Sequence, residues 1–186
     1  MPTSRGSAPG ERTSLRNLIL VGLPGAGKTT VGRAVANALG RPFLDFDEEI
    51  ERREGITIAE IFSSKGEPYF RALESRLTME LSAASGKIVS PGGGWITDPK
   101  VVEHVRPSAR IVYLCVSPET ALSRLGDGRS TRPLLSGDDP LGELQRLFKK
   151  RRPSYETADI VVNVELLSLQ QVIEAIVALV GVDFGP

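Results

Sequence analysis

The stretch Gly22-Leu-Pro-Gly-Ala-Gly-Lys-Thr29 limits what this chain can fold into more than any other. It fits the form G-x-x-x-x-G-K-[ST], a pattern that means little without a strand before it and a helix after it. Both are present. The apolar run Asn17-Leu-Ile-Leu-Val-Gly22 reads as a strand, and a helix follows from about Lys28 to Leu39. Val31, Val35 and Leu39 share one stripe of that helix, which stops at Gly40. Glycines in such a loop let successive backbone N–H groups converge on an anion at the helix N-terminus. Lys28 can then bridge β- and γ-phosphates, and the Thr29 hydroxyl can ligate Mg²⁺. Gly25, Ala26, Gly27, Lys28, Thr29 and Thr30 are therefore the candidate nucleotide-binding residues.

Downstream, apolar runs alternate with helical periodicity, as in a parallel sheet covered on both faces. Pro42–Phe46, Lys87–Ser90, Arg110–Val116 and Asp159–Val164 read as strands. Helices are expected at Asp47–Glu54, from Thr57 through Phe62, and at about Glu67–Ala84. Others are expected at Thr97–Val105, Pro118–Leu125, Leu141 to about Arg152, and Ser168–Val180. Thr57 with Glu60 forms a capping box, and Pro118 suits a first helical turn. The polar stretch of about 126–140 has no helical stripe and has the length of a lid over a site. A single domain over residues 17–182 is expected, preceded by a disordered tail at 1–16.

With 186 residues and 40% apolar content, the chain can bury an ordinary core. Its formal net charge of zero argues against nonspecific adhesion to nucleic acid or membrane. No apolar segment follows the early charges, and no run is long enough to span a bilayer, so the cytoplasm is the expected compartment; a monomer is expected. The lone cysteine, Cys115, excludes an intramolecular disulfide and reads as a small buried core residue. The lone histidine, His104, reads as a helix-surface residue.

The acceptor must be recognised by residues at the carboxyl ends of the strands. Asp45 and Asp47 end the second strand, and on an extended segment they are expected to point to opposite sides, one toward a metal and one toward an acceptor. A carboxylate beside an acceptor hydroxyl can hold it in line and take its proton. Arg71, Arg132 and Arg151 together suit a small carboxylate, because a guanidinium binds carboxylate as a bidentate fork. Glu74, three residues beyond Arg71, can fix its orientation. Gly92-Gly93-Gly94 would let backbone approach a ligand closely.

Six motifs now stand in order: the phosphate loop, Asp45-x-Asp47, Phe70-Arg-x-x-Glu74, Gly92-Gly-Gly94, Arg132-Pro-Leu-Leu135 and Arg151-x-Pro-x-Tyr155. In this order and spacing the chain resembles the shikimate kinases, P-loop kinases of the nucleoside-monophosphate-kinase group, from about Asn17 to Val180. The resemblance implies an α/β three-layer fold with a five-stranded parallel sheet of order 2-3-1-4-5, a lid, and a substrate-binding helical insertion at about 46–85. It implies transfer of the γ-phosphate of ATP to the 3-hydroxyl of shikimate, giving shikimate 3-phosphate and ADP, in aromatic amino-acid biosynthesis. Mg²⁺ is the implied cofactor, on Thr29 with help from Asp45.

By the same resemblance Asp47 holds the acceptor hydroxyls and serves as base, with Lys28 and the lid residue Arg132 acting on the phosphates. Arg71 and Arg151 clamp the carboxylate, Gly93 touches the substrate, and Phe62 and Phe70 pack around the ring. The chain departs from the family at the nucleoside end. Arg124 stands one step from the usual adenine-stacking arginine, and Ser168-Leu-Gln170 lacks the arginine commonly found there. Trp95, after the glycines, is also unusual, and it reads equally as a core anchor or as a residue that trims the pocket. A sugar-acid kinase such as a gluconate kinase is the nearest rival, and a non-catalytic nucleotide-binding regulator is a more distant one.

Overall fold

In the computed structural model, residues 15–126 and 137–182 are described. Residues 1–14 of the expected tail, 127–136 of the expected lid and, with the latter, Arg132 lie outside the described residues. The architecture is set by β1 (Asn17–Val21), whose five residues are all buried. A strand without an exposed face must sit at the centre of a covered sheet, and β1 pairs in parallel with β3 (Ile88–Ser90) on one side and β4 (Ala109–Cys115) on the other. β2 (Phe43–Asp45) adds beside β3, and β5 (Ile160–Asn163) adds beside β4, both in parallel. The order is β2-β3-β1-β4-β5.

Helix α1 (Lys28–Leu39) packs against β3 and the last helix, α7 (Leu169–Val182), through Val31, Val35 and Ala36. Gly40 closes α1 in the left-handed conformation, at φ 62°. α2 (Phe46–Glu54) runs into α3 (Ile58–Ser82), whose start carries the Thr57–Glu60 capping box. At Gly66 the backbone leaves helical geometry (φ 79°, ψ 169°), so α3 is two helical segments end to end, as expected from Thr57 and Glu67. A 3₁₀ turn (Trp95–Thr97) precedes α4 (Pro99–Val105), which starts at its Asp98 cap rather than at Thr97. α5 (Pro118–Leu125) packs on α6 (Pro140–Tyr155).

His104 is exposed on α4, as expected. Cys115 is only half-buried, at the end of β4 and packed against the rim of the core. No helix among the described residues is long and apolar enough to cross a membrane. The parallel arrangement brings the carboxyl ends of all five strands to one edge, so the loops after β1, β2 and β3 converge there.

Candidate active site

The loop between β1 and α1 has no side chain capping the helix. Gly27, the residue at the cap position, makes no side-chain cap bond, and the first turn holds no acidic residue. Gly25 and Gly27 take φ values of 84° and 88°, which a side chain would strain. The backbone N–H groups of the first turn are thus left for an anion. Lys28 folds over this loop, its Nζ donating to the Gly22 and Leu23 carbonyls at 3.1 and 3.0 Å.

The Thr29 hydroxyl donates to Asp45 Oδ2 at 2.7 Å. Asp45 is not simply the last strand residue. It caps α2, Oδ1 accepting from the Asp47 N–H at 3.0 Å and the Glu48 N–H at 3.5 Å. The expectation of two aspartates diverging along an extended segment is therefore corrected. Residues two apart on a strand share a face, and it is the turn into a helix at Phe46 that separates Asp45 from Asp47. Among the described residues no three Asp, Glu, His or Cys side chains cluster as a metal cage. One hydroxyl and one buried carboxylate fit Mg²⁺, which keeps several waters and binds through one or two carboxylates plus substrate phosphates.

A cleft of about 430 Å³ joins these parts, with Gly25 to Thr30, Asp45, Asp47, Gly92 and Gly93 on its walls. Its other end is apolar, formed by Leu125, Val164, Leu167, Leu169 and Val172. Arg124 lies on this wall, its Nη2 donating to the Val164 carbonyl at 2.6 Å. Sequence reading placed Arg124 near a nucleoside site but could not supply these apolar partners, most of which come from the connection after β5 and from α7.

The three consecutive glycines each make room for a different charged side chain. A Cβ on Gly92 would lie 2.5 Å from Glu74 Oε1 and 3.7 Å from Asp47 Oδ1. One on Gly93 would lie 3.1 Å from Arg151 Nη1, and one on Gly94 2.6 Å from Arg71 Nη2. The triplet thus admits two guanidiniums and two carboxylates at van der Waals range, a packing reason beyond close approach of a ligand. Arg71 is held by Glu74 (Nη1 to Oε2, 2.5 Å) and by Glu67 (Nη2 to Oε1, 2.8 Å), both on its own helix. Arg71, Glu74 and Gly94 also line an adjoining depression of about 370 Å³.

Glu74 is 2% exposed. Burial pushes its carboxyl up to about 6, against the pull of the Arg71 charge, and the nearby Asp47 charge pushes the same way as burial. Arg151 is 6% exposed and forms no ion pair among the described residues. Its neighbour on α6, Tyr155, is fully buried, stacks on Tyr113 with ring centroids 5.0 Å apart, and donates to the Gly93 carbonyl at 2.8 Å. Tyr155 was missed as part of the site, although its position four residues after Arg151 puts both on one helix face. Phe62 and Phe70 meet at 5.0 Å across the Gly66 break, and the Arg71 guanidinium lies 5.4 Å from the Phe70 ring. Trp95 proves to be a core residue, 3% exposed, its Nε1 donating to Thr78 Oγ1 at 2.9 Å.

The sequence model described as shikimate kinase matches residues 24–180. The chain belongs to the shikimate kinase family. A curated shikimate kinase of Symbiobacterium thermophilum is 41% identical over 162 residues, covering 86% of this chain and 93% of the relative. One from Thiobacillus denitrificans is 45% identical over 148 residues, covering 79% of this chain and 80% of the relative. Among solved structures, a shikimate kinase from Acinetobacter baumannii in complex with shikimate is 38% identical, with a TM-score of 0.86 over 92% of this chain and 96% of that one. A gluconokinase from Sinorhizobium meliloti, 22% identical with a TM-score of 0.54, shares the fold. Membership in the shikimate kinase family makes the chain a phosphotransferase of the P-loop kinase class.

Proposed function

We propose that this chain transfers the γ-phosphate of ATP to the 3-hydroxyl of shikimate, giving shikimate 3-phosphate and ADP, in the cytoplasm and as a monomer. The observation that carries the acceptor assignment is Arg151. A buried guanidinium without an ion pair among the described residues is costly unless a ligand carboxylate completes it. Arg71 and Arg151 abut consecutive glycines, so both guanidiniums reach one small carboxylate.

In this reading the loop amides and Lys28 hold the β- and γ-phosphates, and the apolar wall with Arg124 receives the nucleoside. Thr29 and Asp45 would hold Mg²⁺, which, when bound, neutralises charge on the β- and γ-oxygens. Asp47 orients the acceptor hydroxyl and accepts its proton as the new P–O bond forms and the bond to ADP breaks. Arg71 and Arg151 clamp the carboxylate, Glu74 fixes Arg71, and Phe62 with Phe70 flanks the ring. Gly92, Gly93 and Gly94 give the acceptor room and backbone contacts. Arg132, outside the described residues, would close onto the transferring phosphoryl group, an effect worth ~10³–10⁵ in rate where an arginine plays that part.

An ADP-release assay with shikimate, gluconate and nucleoside monophosphates as separate acceptors tests the reading. Rapid release is expected with shikimate alone. Release driven equally by gluconate would move the chain to a sugar-acid kinase, and release independent of every acceptor would leave it without a kinase acceptor.

A further inference from the structure

The sole tryptophan sits directly after the triglycine, deep in the molecule and off the reacting groups. A buried indole N–H needs an acceptor, and Trp95 finds it in the Thr78 hydroxyl at 2.9 Å. Thr78, 1% exposed, sends its own proton to the Glu74 carbonyl at 2.8 Å. A hydroxyl has one proton, so the chain has one polarity: indole N–H to Thr78 oxygen, Thr78 proton to the Glu74 carbonyl. Trp95 is tied to the glycines as well, its backbone N–H donating to the Gly92 carbonyl at 3.0 Å. It is therefore anchored at once to the loop that carries Gly92–Gly94 and to the α3 turn that begins at Glu74, the ion-pair partner of Arg71 one turn earlier.

Those two parts fit with almost no slack. A methyl on Gly94 would lie 2.6 Å from Arg71 Nη2, and one on Gly92 2.5 Å from Glu74 Oε1. A small slide of α3 along the loop would push the guanidinium into the glycine backbone or draw it away. We infer that Trp95 and Thr78 act as positioning residues, a strut that sets the register of the Arg71–Glu74 pair against the triglycine and so tunes acceptor affinity. The inference rests on the reading that Arg71 and the triglycine hold the acceptor carboxylate.

The test compares Thr78→Val, Thr78→Ser, Trp95→Phe and Arg71→Ala in steady-state kinetics with shikimate and ATP varied in turn. Thr78→Val keeps the side-chain volume but removes the hydroxyl. It is expected to raise the shikimate KM about tenfold with the ATP KM within about twofold of the parent, since sub-ångström misplacement is costly. Thr78→Ser restores the hydroxyl and should restore the KM, and Trp95→Phe should behave as Thr78→Val does. The Thr78→Val, Trp95→Phe double variant should be no worse than either single one, because one interaction is lost in all three. A lowered melting temperature with both KM values unchanged, or equal rises in the two KM values, would overturn the inference. Arg71→Ala separates it from the reading beneath: if that variant leaves the shikimate KM unchanged, the acceptor site itself is misassigned.

Discussion

Lys28 and Asp47 stand on the cleft wall rather than in the core, so replacing either should cost activity more than stability. Lys28→Ala and Asp47→Ala are each expected to lower kcat by at least about 10²-fold, with melting temperatures near the parent's. Arg71→Ala should chiefly raise the acceptor KM. Steady-state kinetics alongside thermal melts checks all three, and near-normal turnover in Asp47→Ala would remove its role as base. Glu74 gives a pH prediction. Its carboxyl is raised to about 6 from 4.5, so the folded chain binds the proton more tightly than the unfolded chain does. Between those two values stability should therefore fall as pH rises, by about 2 kcal/mol. Denaturant melts of the parent and Glu74→Gln from pH 4 to 7 should show the parent losing that margin relative to the variant. A margin that stays flat, or grows with pH, would contradict the assignment.

At the level of elements, α1 shows how context overrides propensity. Gly→Ala inside an exposed helix ordinarily gains about 1 kcal/mol. Gly32, though, is buried in α1 against the Phe43 ring, and a Cβ there would lie 2.4 Å from the Phe43 Cε2. Gly32→Ala is expected to destabilise the chain by about 1–3 kcal/mol in denaturant melts. Such contacts mark where sequence reading ends. The limits of α1 and α5, the end of α2 at Glu54 and the division of α3 into two segments were legible, because apolar period, Gly, Pro and capping residues act within a few positions. Phe46 was misread as strand although Asp45, the last strand residue, also caps α2, because a capping carboxylate and a strand end look alike until the next residue turns. The pairing of each triglycine residue with its own charged side chain joins segments about twenty to sixty residues apart, and no local pattern encodes it. Trp95 was ambiguous for the same reason: only the fold brings Thr78 to its indole.

For the whole molecule, the strand order does the decisive positioning. With β1 central, the phosphate loop leaves the sheet beside the triglycine that follows β3, and Asp45 leaves β2 one strand further out. Helix α6 brings Arg151 and Tyr155 to the triglycine from the opposite side. The loop after β1 therefore offers backbone amides and a lysine to the cleft, the triglycine beside it abuts the Arg71 and Arg151 guanidiniums, and Asp47 lies on the cleft wall. A crystal structure of the chain with ADP and shikimate tests that division most directly. The account predicts the diphosphate on the amides of Gly25–Thr29, the shikimate carboxylate within hydrogen-bond reach of both Arg71 and Arg151, and the 3-hydroxyl on Asp47. Shikimate bound elsewhere, with Asp47 and Arg71 turned to solvent, would contradict it.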